Sequence, residues 1–178
     1  MMDANQTLSK PVWDLFVRVF HWSLVVCIGV NYFVLDDGET LHQWIGYAAS
    51  ALVVARTVWG FVGTPHARFS DFFPTPARLS AHLRGLAAGR PVHHWGHNPM
   101  GALMMLALMG LVLGLGLTGW MQTLDRFFGE EWLQELHEVL GGVLIAFAGL
   151  HAASAIVMGR LERTRLVKAM FTGTKERW

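Results

Sequence analysis

Four stretches of the chain are apolar almost throughout, and polar or proline-bearing segments separate them. They cover about residues 13–35, 41–62, 99–121 and 132–159. Roughly 20 apolar residues as a helix cross the ~30 Å hydrocarbon core of a bilayer, so each stretch is long enough to span it. A backbone in lipid must bond internally, which makes these spans helices rather than strands. Pro99 opens the third span, where its missing N–H does no harm. Pro65, Pro74 and Pro76 break the chain after the second, and segment 75–89 has the pattern of a short amphipathic helix.

Composition agrees with the pattern. Hydrophobic residues make up 53% of the 178 positions and charged residues 15%, against about 25% charged in a soluble domain. Eight tryptophans fit the aromatic belts of a membrane interface. The single cysteine, Cys27, rules out a disulfide or a thiolate metal cluster within one chain, and the lack of a C-x-x-C-H run rules out a covalent c-type heme. The N-terminal stretch MMDANQTLSKPVWD is polar and no cleavage signal follows it, so it does not read as a removed leader.

The net charge of +1 says little, but its distribution sets an orientation. Lys10 and Arg18 flank the start of span one. Arg68, Arg78, Arg84 and Arg90 lie between spans two and three. Arg160, Arg163, Arg165, Lys168, Lys175 and Arg177 follow span four. The other side carries Arg126 among Asp36, Asp37, Glu39, Asp125, Glu130, Glu131 and Glu135. The positive-inside rule then places both termini in the cytoplasm of a bacterial inner membrane. The expected fold is all-α: an integral membrane four-helix antiparallel bundle, one domain over residues 1–178, with a short cytoplasmic amphipathic helix and a basic C-terminal tail. That tail is expected either to lie on the inner membrane surface, with Leu161, Leu166, Met170 and Phe171 towards lipid, or simply to set topology.

Ionisable residues inside spans are costly and mark function. His21 lies in the cytoplasmic third of span one, His42 at the outer end of span two, and His137 at the outer end of span four. His151 is fourteen residues on from His137, or roughly 21 Å deeper at 1.5 Å per residue. His42 and His137 therefore share the outer level, and His21 and His151 the inner one. Fourteen residues also return a side chain to within about 40° of its starting face, and the offset closes in a left-handed bundle. Two levels with two facing histidines each are what two bis-histidine b-type hemes require. Such hexacoordinate irons leave no open position. Gly46 and Gly141, each four residues after a histidine, clear a helix face for a flat macrocycle or serve ordinary close packing. Arg56, fourteen residues after His42, reaches the inner level, where it pairs with a heme propionate or snorkels to the surface. Arg18, one turn below His21, has the same two readings. His66, His82, His93 and His94 read as exposed loop residues, and Cys27, Met104, Met105 and Met109 as packing or lipid-facing residues.

The runs VFHW in span one, LHQWIGY opening span two, GHNPMG opening span three and LHEVLGGVLIAFAGLHAA in span four resemble the prokaryotic cytochrome b561 family. The similarity is greatest to the b-type cytochrome subunit of nickel-iron hydrogenases and its small stand-alone relatives, and it covers about Val12 to Lys175. This chain is shorter, with little outside the four spans. The resemblance implies His42 and His137 on a periplasmic heme and His21 and His151 on a cytoplasmic heme, in agreement with the depth argument. By similarity to the gamma subunit of formate dehydrogenase it also implies a quinone site at Asn98 and Gly101, beside His97 and His151. The run HNP reads equally as an N-cap of span three, with Asn98 before Pro99.

The expected function is electron transfer across the membrane between a periplasmic redox protein, such as a c-type cytochrome or a hydrogenase, and quinone. Lipid is the other partner, and nucleic acid is not one. A quinone oxidoreductase acting directly on a small substrate such as superoxide is the nearest rival. A histidine-lined metal transporter would need mid-membrane carboxylates that spans one to three lack. A pure membrane anchor would not need four paired histidines.

Overall fold

The chain begins with strand β1 (Leu8–Pro11), followed by helices α1 (Leu15–Phe33) and α2 (Thr40–Val62) and a 3₁₀ turn at Pro65–Ala67. Then come α3 (Phe69–Phe72), α4 (Pro76–Ala87), α5 (Pro99–Met121), α6 (Glu131–Leu161), α7 (Leu166–Thr172) and strand β2 (Thr174–Arg177). The structure, a computed structural model, describes residues 8–89 and 94–177; Arg90 and His93 lie outside the described residues. Helices α1, α2, α5 and α6 are each long and apolar enough to cross a membrane. They fall within two residues of the predicted spans. Val26, Phe33, Phe61, Leu117 and Val157 stand exposed along them, as suits side chains whose solvent is lipid. Helix α4 realises the predicted amphipathic segment. Thr75 caps it by accepting from the Arg78 N–H at 3.3 Å, and Pro76 occupies its first turn.

The chain divides into two compact units. One comprises Met1–Arg18, Trp59–Met104 and Leu150–Trp178, the other Val19–Val58 and Met105–Gly149.

The first unit is tied together by polar groups. Asp14 is its main knot. One carboxylate oxygen accepts from the Val17 N–H at 2.8 Å and so caps α1. The other accepts from Trp59 Nε1 at 2.9 Å and from the Thr64 hydroxyl at 2.7 Å. These bonds anchor the start of α1 to the end of α2, and the Phe16 and Trp59 rings pack beside them with centroids 4.8 Å apart.

The tail does more than the sequence reading expected. Strand β2 pairs antiparallel with β1, Pro11 lying opposite Thr174. The N–H groups of Val12 and Trp13 both donate to the Gly173 carbonyl, at 2.9 and 3.0 Å. Gly173 sits at φ +82°, and a Cβ there would lie 2.7 Å from the Trp13 carbonyl oxygen, so glycine is required. Of the four residues expected to face lipid, Leu161 and Phe171 are exposed but Leu166 and Met170 are half-buried. Lys175, read as a surface charge, is buried: its ammonium donates to the His94 carbonyl at 2.6 Å and lies 3.9 Å from the buried Glu162 carboxylate. Strand pairing across the full length of the chain leaves no local pattern in a sequence, which is why the tail read as a simple basic extension.

In the second unit, Asn31 of α1 donates through Nδ2 to the His42 carbonyl at 3.1 Å, tying the first turn of α2 to α1. A Cβ at Gly116 of α5 would overlap the Ser50 hydroxyl of α2, so that helix contact depends on glycine.

Asp14→Ala removes a helix cap and leaves two donors without their acceptor. It is expected to lower stability by about 1–3 kcal/mol, with Asp14→Asn retaining part of the loss. Thermal unfolding of both variants in detergent micelles checks this.

Candidate functional site

His42 and His137 meet in the second unit. Their ring centroids are 6.3 Å apart and their planes are inclined by 57°. Metal–nitrogen bonds of about 2.0 Å put the centroids of two imidazoles sharing one metal roughly 6 Å apart. The observed spacing therefore fits one iron between the two rings. The inclination is no obstacle, because two imidazoles that share a metal need not be coplanar. Both histidines are half-buried.

A third residue orients one of the two rings. Thr118 of α5 is buried at 6% exposure. Its hydroxyl sits 2.9 Å from the Gly114 carbonyl and 3.2 Å from that of Leu115, so its proton goes to its own helix. The same oxygen lies 2.8 Å from His137 Nδ1. With the hydroxyl proton committed, Thr118 accepts and His137 Nδ1–H donates. That fixes the tautomer and leaves the Nε2 lone pair for a metal. The sequence reading missed Thr118. Its one signal was that no other residue of the run 99–121 carries a hydroxyl.

Among the described residues His42 has no such partner: its Nδ1 is 3.9 Å from the exposed Asp37 carboxylate, beyond hydrogen-bond range. A Cβ at Gly46 would lie 3.6 Å from Asn31 Nδ2, and one at Gly141 would lie 3.9 Å from Tyr32. These are ordinary contacts, so neither glycine is pressed by a protein neighbour.

The other predicted residues are distributed as follows. His21, on α1, belongs to the same unit as His42 and His137, and its ring stands edge-on to Trp22 with centroids 5.0 Å apart. His151, on α6, belongs to the other unit. Arg56 is 1% exposed, so its guanidinium does not snorkel to the surface. Arg18 uses Nη1 to hold the Phe171 carbonyl at 2.7 Å, a role in fastening the tail that neither sequence reading included. Asn98 is the expected cap: its Oδ1 accepts from the Gly101 N–H at 2.7 Å. A Cβ on Gly101 would come within 3.2 Å of that oxygen. His97 lies between aromatic rings, 4.6 Å from Trp13 and 4.8 Å from Phe72. The expectation of exposed loop histidines fails at the three positions that are described, His66, His82 and His94. His82, the one buried residue of α4, is 2% exposed, and its ring packs 5.7 Å from that of the half-buried His94. His66 is half-buried and bonds Asp71 at 3.2 Å.

Comparison with known proteins adds to this geometry. The family model described as prokaryotic cytochrome b561 matches residues 12–173. A probable Ni/Fe-hydrogenase B-type cytochrome subunit of Rhodobacter capsulatus is 23% identical, over 93% of this chain and 80% of its own length. The protein of the same description from Rhizobium leguminosarum bv. viciae is 22% identical, over 97% and 91%. No solved structure matches.

Thr118→Val keeps the shape of the side chain but removes the oxygen that accepts from His137. The affinity for iron-porphyrin at the His42–His137 pair is expected to fall roughly 10–100-fold, with Thr118→Ser close to the parent. Titration of the apoprotein with heme, followed by Soret absorbance, measures the change.

Proposed function

This chain belongs to the prokaryotic cytochrome b561 family, and from that premise we propose that it is a diheme b-type cytochrome carrying electrons between a periplasmic redox partner and quinone. Membership carries with it a b-type heme and electron transfer in the membrane. A bound heme supplies one-electron chemistry at its iron. The chain's own residues hold it, orient it and keep water away.

The single observation that carries the reading is the His42–His137 pair, spaced at 6.3 Å with His137 oriented by Thr118. These two histidines are assigned to the outer heme. His21 and His151 are assigned to the inner heme, on the strength of the fourteen-residue interval along α6 and the matching position of His21 on α1. Arg56, a buried guanidinium, suits a propionate. Arg18 is assigned to the tail instead. The quinone head group is assigned to Asn98, His97, Gly101 and His151. Asn98 spends its Oδ1 on the helix cap, which leaves Nδ2 to donate to a quinone carbonyl. The basic residues of the first unit support the reading that both termini are in the cytoplasm of a bacterial inner membrane. The β1–β2 pairing holds both ends of the described chain together, as an even number of crossings demands. The relatives' names support a nickel-iron hydrogenase as one candidate for the redox partner, and the acidic outer loops suit a partner with a basic face.

Pyridine hemochrome counts test the ligand assignment. His42→Ala, His137→Ala and His151→Ala are each expected to lose one of two low-spin hemes. A His151→Ala protein that keeps both would overturn the inner pair. In a redox titration, a tightly bound quinone analogue is expected to shift the potential of the inner heme alone; a shift of neither heme removes the quinone site.

A further inference from the structure

The first unit contains a cavity of about 300 Å³ on the side of the basic residues, lined by Asp71, Phe72, Arg78, His82, His94 and His97. Its most unusual member is His82. The residue is 2% exposed, yet neither ring nitrogen bonds a protein group among the described residues. A buried polar group needs a partner, and a cavity of this size, into which a carboxylate, a guanidinium and three imidazoles reach, has room for several water molecules to provide one. The His82 and His94 ring centroids are 5.7 Å apart, a separation that one water bridges. His97 lines the same cavity and directly precedes Asn98.

We propose that this cavity is a hydrated proton inlet, in which His82 and His94 pass protons from the cytoplasmic side towards His97 and Asn98. The inference rests on the reading of Asn98 as part of a quinone site. Reduction of a quinone to a quinol takes two electrons and two protons, and the two protons form the new O–H bonds. Each imidazole moves a proton without net change, giving up the one on one ring nitrogen and taking another at the second. Such a relay works best with imidazoles that are neutral at rest. Burial pushes His94 below its ordinary value, and the neighbouring His82, Lys175 and Arg78 push it the same way, while Glu162 opposes them. Asp71, the one acid lining the cavity among the described residues, is paired with His66 at 3.2 Å. The buried Lys175 holds the His94 backbone in place at 2.6 Å.

The relay makes a prediction that does not depend on turnover. In the heme-loaded full chain in D₂O, the His82 ring C2 hydrogen is expected to exchange within about tenfold of a free imidazole, because water reaches it. Protection beyond roughly 100-fold, as in a dry core, overturns the inlet. A second arm follows reoxidation of pre-reduced protein by a short-chain quinone between about pH 6 and pH 8. The parent is expected to vary little. His82→Gln and His94→Gln, each with unchanged heme spectra, are expected to slow roughly 100-fold at the alkaline end and to recover with added imidazole. Two variants guard against one failing to fold. Variants with the parent's rate and pH profile overturn the relay but leave the quinone reading standing. A parent that quinone cannot reoxidise overturns the quinone reading, and the relay with it.

Discussion

In hydrocarbon, a backbone has nowhere to send its N–H and C=O groups except along its own helix. This constraint makes α1, α2, α5 and α6 stiff rods, and it turns residue number into depth at about 1.5 Å per residue. It also disciplines the side chains. The hydroxyls of Ser50, Thr57 and Thr118 each return their proton to the carbonyl four residues earlier, at 3.0, 2.9 and 2.9 Å. Thr118 alone of the three then offers its oxygen to an imidazole. The orientation of His137 thus follows from the need of an unrelated helix to absorb its own polar groups.

The two units meet the cost of polarity differently. Around His42 and His137 the polar groups are few and serve one pair of rings. Towards the chain ends they form a mesh: Asp14 with three donors, Lys175 between Glu162 and His94, Arg18 on the tail. Burying an ion pair such as Glu162–Lys175 rarely adds stability, yet removing one partner is expensive. Such a mesh therefore confers uniqueness more than strength. It holds loop and tail in one arrangement beside the region assigned to quinone.

Much of this was legible beforehand, for reasons that can be stated. Run length marked the spans, and depth arithmetic on a rigid helix paired His42 with His137. The Asn98–Pro99 cap was visible as a local pattern. What escaped notice was whatever depends on distant residues meeting. Thr118 is nineteen positions from the ring it orients. Lys175 looked like any other tail cation until β2 found β1. His82 looked solvated because loops usually are, but α4 turns it inward against the His94 ring. Snorkelling remained open for Arg56 because sequence gives depth and not enclosure.

The pairing of β1 with β2 has a consequence for how the protein is made. Some 160 residues separate the strands, so at about 5–20 residues per second β1 waits roughly 8–30 s for its partner to leave the ribosome. During that interval all four helices must enter the bilayer, and the waiting strand presents an open edge. The two-stranded sheet can close only after the fourth helix has been threaded back to the side on which the first began. Its closure is therefore one of the last steps in making the chain.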